Sequence, residues 1–261
     1  MGGFKYLLTG MVLLCHFTLT AQQEGINYGQ VTRDELSRTV YTLDSTADAV
    51  ILYDYGYTYF TYEESRGIVI NTDYHIKKRL LSENATNLGI VDLIYRQPDN
   101  KSKESIDFFR GRTYRLNGGS MTFTEVSPQD IFDTKIGSDY YNKKITFPNV
   151  TADCIIEYAY TVSTPMTVRD KPRPWYFQGK YPVIYSEYTI GFPAFLGYNL
   201  LMTGYLNIEI QKPEKRNINL GHSQLDGTGQ FQKFILRDVP AFTDEPYISS
   251  KENFVSKISF E

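Results

Sequence analysis

The residue type best suited to covalent chemistry in this sequence is cysteine: Cys15 lies in the apolar N-terminal run, and Cys154 is the only cysteine after it, in the stretch "KITFPNVTADCIIEYAYTV". A catalytic thiol needs a lowered pKa, which usually comes from a helix N-terminus or a neighbouring histidine. Asp153 precedes this thiol, and its negative charge would raise the pKa. The following run is typical of a strand in which Cys154 and Ile156 share an apolar face. We therefore predict a buried structural cysteine, since a catalytic role would require His75 or His222 beside it.

A carboxylate three residues further on, Glu157, is the next candidate for chemistry. It lies in the same predicted strand, on the face that also carries Ile155 and Ala159. A carboxylate among apolar neighbours must be exposed, paired or hydrogen-bonded. Arg79 and Lys77, on the polar face of another predicted strand, are the expected partners. No second carboxylate stands at a telling spacing, so a structural ion pair or an exposed position is favoured over a general acid or base.

The sequence "RPWYFQGKYP" gathers four aromatic residues: Trp175, Tyr176, Phe177 and Tyr181. Exposed, such a group could stack on sugar rings or hold a peptide partner. Buried, it would fill one end of a β-sandwich. The flanking prolines and the density of aromatic rings favour burial, and the binding interpretation remains the alternative.

The other polar motifs predict neither a metal nor a cofactor. His75 and His222 are isolated, and together with one cysteine they have no zinc-ligand spacing. The loop "QLDGTGQ" lacks the alternating acids of a calcium loop. The stretch "LNGGS" has glycines but no lysine and no following helix, which argues against a phosphate loop.

The first 21 residues resemble a secretory leader and set the expected compartment. Lys5 precedes an apolar run from Leu7 to Leu19, and small and polar residues follow. This order is typical of a cleaved signal peptide, and the run is too short for a comfortable membrane span. We therefore expect residues 22–261 to be exported to the periplasm, the cell surface or the medium, with no transmembrane segment.

The charge of the expected mature chain is mildly negative. The full sequence has 27 Lys and Arg against 30 Asp and Glu, and the leader removes one lysine and no acid, which leaves 26 − 30 = −4. Nucleic-acid binding needs a basic face, so this class of partner is not expected. The charge leaves the oligomeric state open.

The elements that must position these residues are mostly strands. Twenty-two tyrosines and sixteen phenylalanines favour pleated, half-buried surfaces. "VTRDELSRT" is the exception, because Thr32 and Glu35 form a capping-box pattern that predicts a short helix. "ADAVILYDY" and "YTYFTYEE", separated by Gly56, predict a hairpin. "RGIVINTDYHIKKRLL" predicts a half-buried strand, and "NGG" predicts a hairpin turn.

These patterns together predict an all-β fold. We expect one domain over residues 22–261, an antiparallel two-sheet sandwich of about ten to twelve strands with one short N-terminal helix.

Several of these stretches, in this order, resemble a known family. They are "ADAVILYDYG", "HIKKRLL", "KITFPNVTADCIIEYAY", "WYFQGKYPVIYSEYTIGFP" and "VPAFTDEPYISSKENFVSKISFE". The resemblance covers roughly residues 30 to 261 and is to an uncharacterised N-terminal domain of exported bacterial proteins. That domain precedes a transglutaminase-like domain, which carries the Cys-His-Asp catalytic set. The resemblance implies a β-sandwich module with no assigned activity and no catalytic residue of its own.

We therefore expect a non-catalytic exported module that serves a transglutaminase- or protease-like domain, in cis or in trans. A glycan- or peptide-binding module built on the Trp175 aromatics is the alternative. An independent thiol enzyme built on Cys154 is the least favoured hypothesis.

Overall fold

The computed structural model describes residues 27–167, 171–243 and 253–261, apart from the side chain of residue 108. The expected leader, residues 1–21, lies outside the described residues. In the described part of the chain, no helix is both long enough and apolar enough to cross a membrane.

The one α-helix of the described residues is short and begins where the sequence predicts. Helix α1 spans Arg33–Ser37, and Thr32 is its N-cap. The Thr32 hydroxyl accepts a hydrogen bond from the Glu35 backbone N–H at 3.1 Å, and the Glu35 carboxylate accepts one from the Thr32 N–H at 2.7 Å. This reciprocal pair is the capping box that the sequence predicts, so the short helix is confirmed.

The strands form one large sheet and two small ones. The main sheet contains β1 (Ala49–Glu63), β2 (Gly67–Leu80), β4 (Ser105–Asn117), β5 (Ser120–Glu125), β8 (Ile155–Pro165), β10 (Val183–Pro193), β12 (Glu209–Ile210), β13 (Glu214–Ile218) and β14 (Gly227–Val239). Its order is β12-β14-β10-β1-β2-β8-β4-β5, with β13 also paired to β14. All of these pairs are antiparallel except β1 with β10.

Each small sheet has three strands. The first small sheet consists of β3 (Ile90–Arg96), β6 (Ile131–Lys135) and β7 (Tyr140–Thr146), and the second of β9 (Trp175–Tyr176), β11 (Leu200–Thr203) and β15 (Lys257–Phe260). Short 3₁₀ helices span Glu83–Gly89, Pro128–Asp130 and Ala194–Leu196.

Both small sheets pack on the same face of the main sheet. Ile76 of β2 packs with Val91 and Ile145 of the first small sheet. Ile70, six residues earlier on the same face of β2, packs with Trp175 and Ile258 of the second. The two small sheets therefore lie side by side, with a junction between them.

The opposite face of the main sheet is partly covered by the N-terminal segment. Val31, Leu36 and Tyr41 pack there against Val50 and Ile155. The middle strands are therefore buried on both sides where α1 covers them.

The fold is mostly β, which agrees with the all-β prediction in its main feature, but the predicted arrangement needs correction. The described residues form fifteen strands in three sheets rather than ten to twelve strands in two. The additional strands, such as β9 and β12, have two residues each, which is too short for a period-two pattern to show.

The hairpin predicted around Gly56 is also wrong. Strand β1 runs through this position without interruption, and the turn to β2 comes after Glu63. Gly56 instead lies under the Trp175 ring, where a Cβ atom would be 2.4 Å from the ring carbon Cζ3. The glycine thus allows the ring to approach the backbone closely. A glycine needed for such a contact cannot be told from a turn glycine by sequence alone. The "NGG" hairpin is confirmed, because Asn117 pairs with Ser120 across two glycines with positive φ.

Candidate functional site

The structure separates Cys154 from both described histidines. Cys154 is fully buried in the core beneath the first small sheet, and this burial raises the pKa of its thiol. His75 lies on the other face of the main sheet, with its ring against Tyr53. His222 lies against Tyr62 near the far end of β1, about 40 Å along the sheet from the Cys154 end. A catalytic thiol would require His75 or His222 beside Cys154, and neither histidine lies there.

Glu157 is fully buried and accepts three hydrogen bonds, none of them from the expected partners. His75 Nε2 lies 2.9 Å from one carboxylate oxygen. The other oxygen accepts from the Tyr114 hydroxyl at 2.8 Å and from the Gly29 backbone N–H at 3.0 Å. Burial alone would raise the pKa of Glu157, but the bonds from His75, Tyr114 and Gly29 outweigh it and hold the pKa below its usual value.

Lys77 and Arg79 instead hold the N-terminal segment. The Lys77 ammonium donates to Glu35 at 2.8 Å and to the Gln30 carbonyl at 3.0 Å. The Arg79 guanidinium donates to the Leu36 carbonyl at 2.7 Å, and it also donates to Asp153 at 3.1 Å. Both cations are about 1% exposed.

We call Glu157, His75, Lys77 and Arg79, with the residues 29–36 that they bind, the anchor network. It fastens the N-terminal segment to the sheet. The half-buried strand predicted for β2 is thus a strand whose charged face is covered. Sequence periodicity could not show this, because the covering segment is distant in sequence. The capping box marked its helix but not where that helix packs.

The carboxylate–imidazole pair of the anchor network has the elements of a general base, but its surroundings are structural. Tyr28 and Tyr53 flank the His75 ring, with centroids 5.9 Å and 5.1 Å away. Each Glu157 oxygen already has a protein donor. The arrangement can therefore hold a chain segment in place, and it leaves little carboxylate capacity for an incoming group.

The Trp175 aromatics do not form one surface. Trp175 and Phe177 are buried, with Trp175 stacked on Tyr188 at 5.2 Å, whereas Tyr176 is exposed. Tyr181 is partly buried against the core beneath the first small sheet. The alternation follows from the strand geometry of β9, which turns successive side chains to opposite faces. A sugar-stacking platform made of these four rings is therefore not available.

A pair of charged residues that sequence reasoning missed lies between the two small sheets. Asp54 of β1 and Lys78 of β2 are half-buried by accessible surface and point to the same face as Ile76. We call this junction, with Tyr74, Tyr158 and Tyr160 around it, the seam.

Close packing raises the pKa of Asp54 to about 7, although Lys78 and a hydrogen bond from Ser186 act in the other direction. The sequence signal that could have identified this site is the charged residue Asp54 inside the otherwise apolar run "AVILYDYG".

Possible metal ligands do not cluster in the part of the chain that the structure describes. No group of three or more His, Cys, Asp or Glu side chains is close enough together there to hold an ion.

These features define a mostly-β module with a covered charged face, and in the described part of the chain neither histidine lies beside Cys154. A family model matches residues 70–242, which is more than half of the chain. The chain therefore belongs to DUF3857, a domain of unknown function with a solved structure. No curated protein matches the chain.

This chain is similar to part of two larger proteins of known structure. A protein of Parabacteroides distasonis designated a candidate protease matches with a TM-score of 0.61 at 12% identity, over 82% of this chain and 40% of that one. An M1 zinc metallopeptidase of Deinococcus radiodurans matches with a TM-score of 0.28 at 7% identity, over 77% of this chain and 44% of that one. The first shows a shared fold, and the second carries no argument. The chain spans less than half the length of either.

Proposed function

We propose that this chain is a non-catalytic, exported β module that serves a transglutaminase- or protease-like catalytic domain, in cis or in trans. The observation that carries the proposal is the structural match, in which this fold makes up about two fifths of a larger protein designated a candidate protease. Membership of a domain family without assigned activity agrees with an accessory role.

The side chains support the absence of catalysis. The Cys154 thiol is buried with a raised pKa, and its face of the main sheet is opposite to that of His75. A nucleophilic cysteine needs the reverse, an accessible thiolate beside a base. The Glu157–His75 pair is occupied by the N-terminal segment. Export is proposed from residues 1–21 alone, whose composition is that of a signal peptide.

An activity assay with a matched variant tests the proposal. Purified protein is incubated with peptide substrates for hydrolysis and for glutamine–lysine cross-linking, beside Cys154→Ala. We expect no turnover from either form. Turnover that the substitution abolishes would overturn the proposal.

A second arm tests the accessory role directly. The chain is added to a transglutaminase- or protease-like protein from the same genome, and the activity of that protein is followed with and without the chain. We expect a change in activity or stable co-elution in gel filtration. If neither is found at micromolar concentrations of both proteins, the partnership is refuted.

A further inference from the structure

The seam joins an ionisable group to the only tryptophan through one hydroxyl. Trp175 Nε1 donates to the Ser186 Oγ at 3.2 Å, and Ser186 is the cross-strand partner of Asp54 in the pairing of β10 with β1. Ser186 is fully buried, and Trp175 is 5% exposed. A change in the charge of Asp54 is therefore transmitted through Ser186 to a ring that belongs to the second small sheet.

The cation nearest to Asp54 is held by a different group. The Lys78 ammonium lies 5.3 Å from the centroid of the Tyr158 ring. Tyr158 belongs to the core beneath the first small sheet. Among the described residues, no ion pair within 4 Å joins Lys78 to Asp54. Lys78 thus contacts the Tyr158 ring, and its charge also acts on Asp54.

We propose that Asp54 is a proton-operated switch at the seam. Loss of its proton draws the Lys78 ammonium from Tyr158 towards Asp54 and changes how the second small sheet is held on the main sheet. The proton passes to solvent, and no bond other than the carboxyl O–H is broken. The second small sheet responds because Trp175 of β9 pairs with Ile258 of β15.

The position of the transition follows from the surroundings of Asp54. Burial raises the pKa of Asp54 to about 7, which places its ionisation in the physiological range. The titratable and charged groups that face Asp54 are Lys78 and Tyr74 from β2 and Tyr160 from β8. Tyr158 and Tyr181 affect Asp54 indirectly, through their interaction with Lys78. Arg173 affects it indirectly through Tyr74 and Tyr160. Lys78 lowers the pKa of Asp54, so its removal must move the transition upwards.

The test is the emission of Trp175 between about pH 5 and about pH 9, since this tryptophan is unique. We expect a one-proton transition near pH 7 in the wild-type protein and its loss in Asp54→Asn. Lys78→Met should raise the midpoint by about 1 pH unit, the size of effect of a nearby opposite charge. A wild-type protein with no transition, or Asp54→Asn with an unchanged one, overturns the proposal.

Two control variants separate the seam from other titrating groups. Asp73→Asn removes a carboxylate whose pKa is also raised, but on the opposite face of β2. His222→Gln removes an imidazole that packs on Tyr62, away from the seam. Both should keep the wild-type transition. If Asp54→Asn does not fold, Lys78→Met decides the matter, because an unchanged or lowered midpoint in that variant refutes the switch.

Hydrogen exchange tests the structural consequence. Exchange of the β9 and β15 amides, corrected for the intrinsic effect of pH, is compared at about pH 6 and about pH 8. We expect protection of these strands to differ between the two conditions in the wild-type protein and to be equal in Asp54→Asn. Equal protection in both proteins would leave Asp54 as a titrating group without the proposed switch and would refute it.

Discussion

Gly56 tests the packing of Trp175 on β1 with a single methyl group. The Cβ of an alanine here would meet Trp175 carbons Cζ3, Cε3 and Cη2 at 2.4, 2.8 and 2.8 Å, which is well inside van der Waals contact. The ring cannot move away easily, because it is stacked on Tyr188 at 5.2 Å and on Tyr74 at 5.8 Å. Gly56→Ala must therefore displace the ring or the strand.

The expected cost follows from two opposing effects. Overpacking a tight core costs about 1–3 kcal/mol, while replacing glycine by alanine restricts the unfolded chain and returns about 0.4–1 kcal/mol. The net loss of unfolding free energy is about 1–2 kcal/mol. For a domain of this size, that corresponds to a fall in Tm of about 2–8 °C.

Calorimetry and Trp175 emission measure the effect, with two glycine variants for comparison. Gly227→Ala is the control, because no atom lies within 4 Å of where its added Cβ would be. Gly191→Ala would meet Phe231 at 2.5 Å, but that ring is partly exposed and can rotate away, so we expect a smaller loss. A Tm for Gly56→Ala equal to that of Gly227→Ala, with unchanged Trp175 emission, would refute this account of the close approach.

Four further predictions concern the anchor network and the buried thiol. Glu157→Ala should lower the unfolding free energy by about 2–4 kcal/mol, because it leaves three donors, two of them buried, without an acceptor; chemical denaturation checks this. The folded-state pKa of Glu157 is depressed, so its stabilisation is present above its unfolded pKa of about 4.3 and is lost as the pH falls through the folded value. The stability difference between Glu157→Gln and wild type should therefore shrink below about pH 4, and a constant difference would contradict this. Arg79→Met should expose the α1 segment to trypsin, whereas Arg96→Met on an exposed position should not; equal cleavage rates would refute the anchoring role. Cys154 should react with a thiol reagent only after denaturation, since its side chain is fully buried; rapid reaction of the native protein would show that it is accessible.

The sequence by itself determined the local structure of much of this protein. The capping box at Thr32 and the "NGG" turn were predictable because each depends on neighbours only a few residues away. The inward face of the strand after Cys154 followed from alternation, which is a local property of the pleated backbone. The buried position of Cys154 followed from that same pattern.

Only the tertiary structure decided which groups neutralise the buried charges. Glu157 binds His75, Tyr114 and Gly29, and these lie 82, 43 and 128 residues away in sequence. The roles of Gly56 and Asp54 were likewise set by the packing of Trp175 and Ser186 from elsewhere in the chain. Strand pairing and sheet stacking bring such residues together, and no sequence spacing encodes those contacts. The alternation of residues along a strand shows which side chains face inwards, but the partner of a buried charge depends on which distant segment covers it.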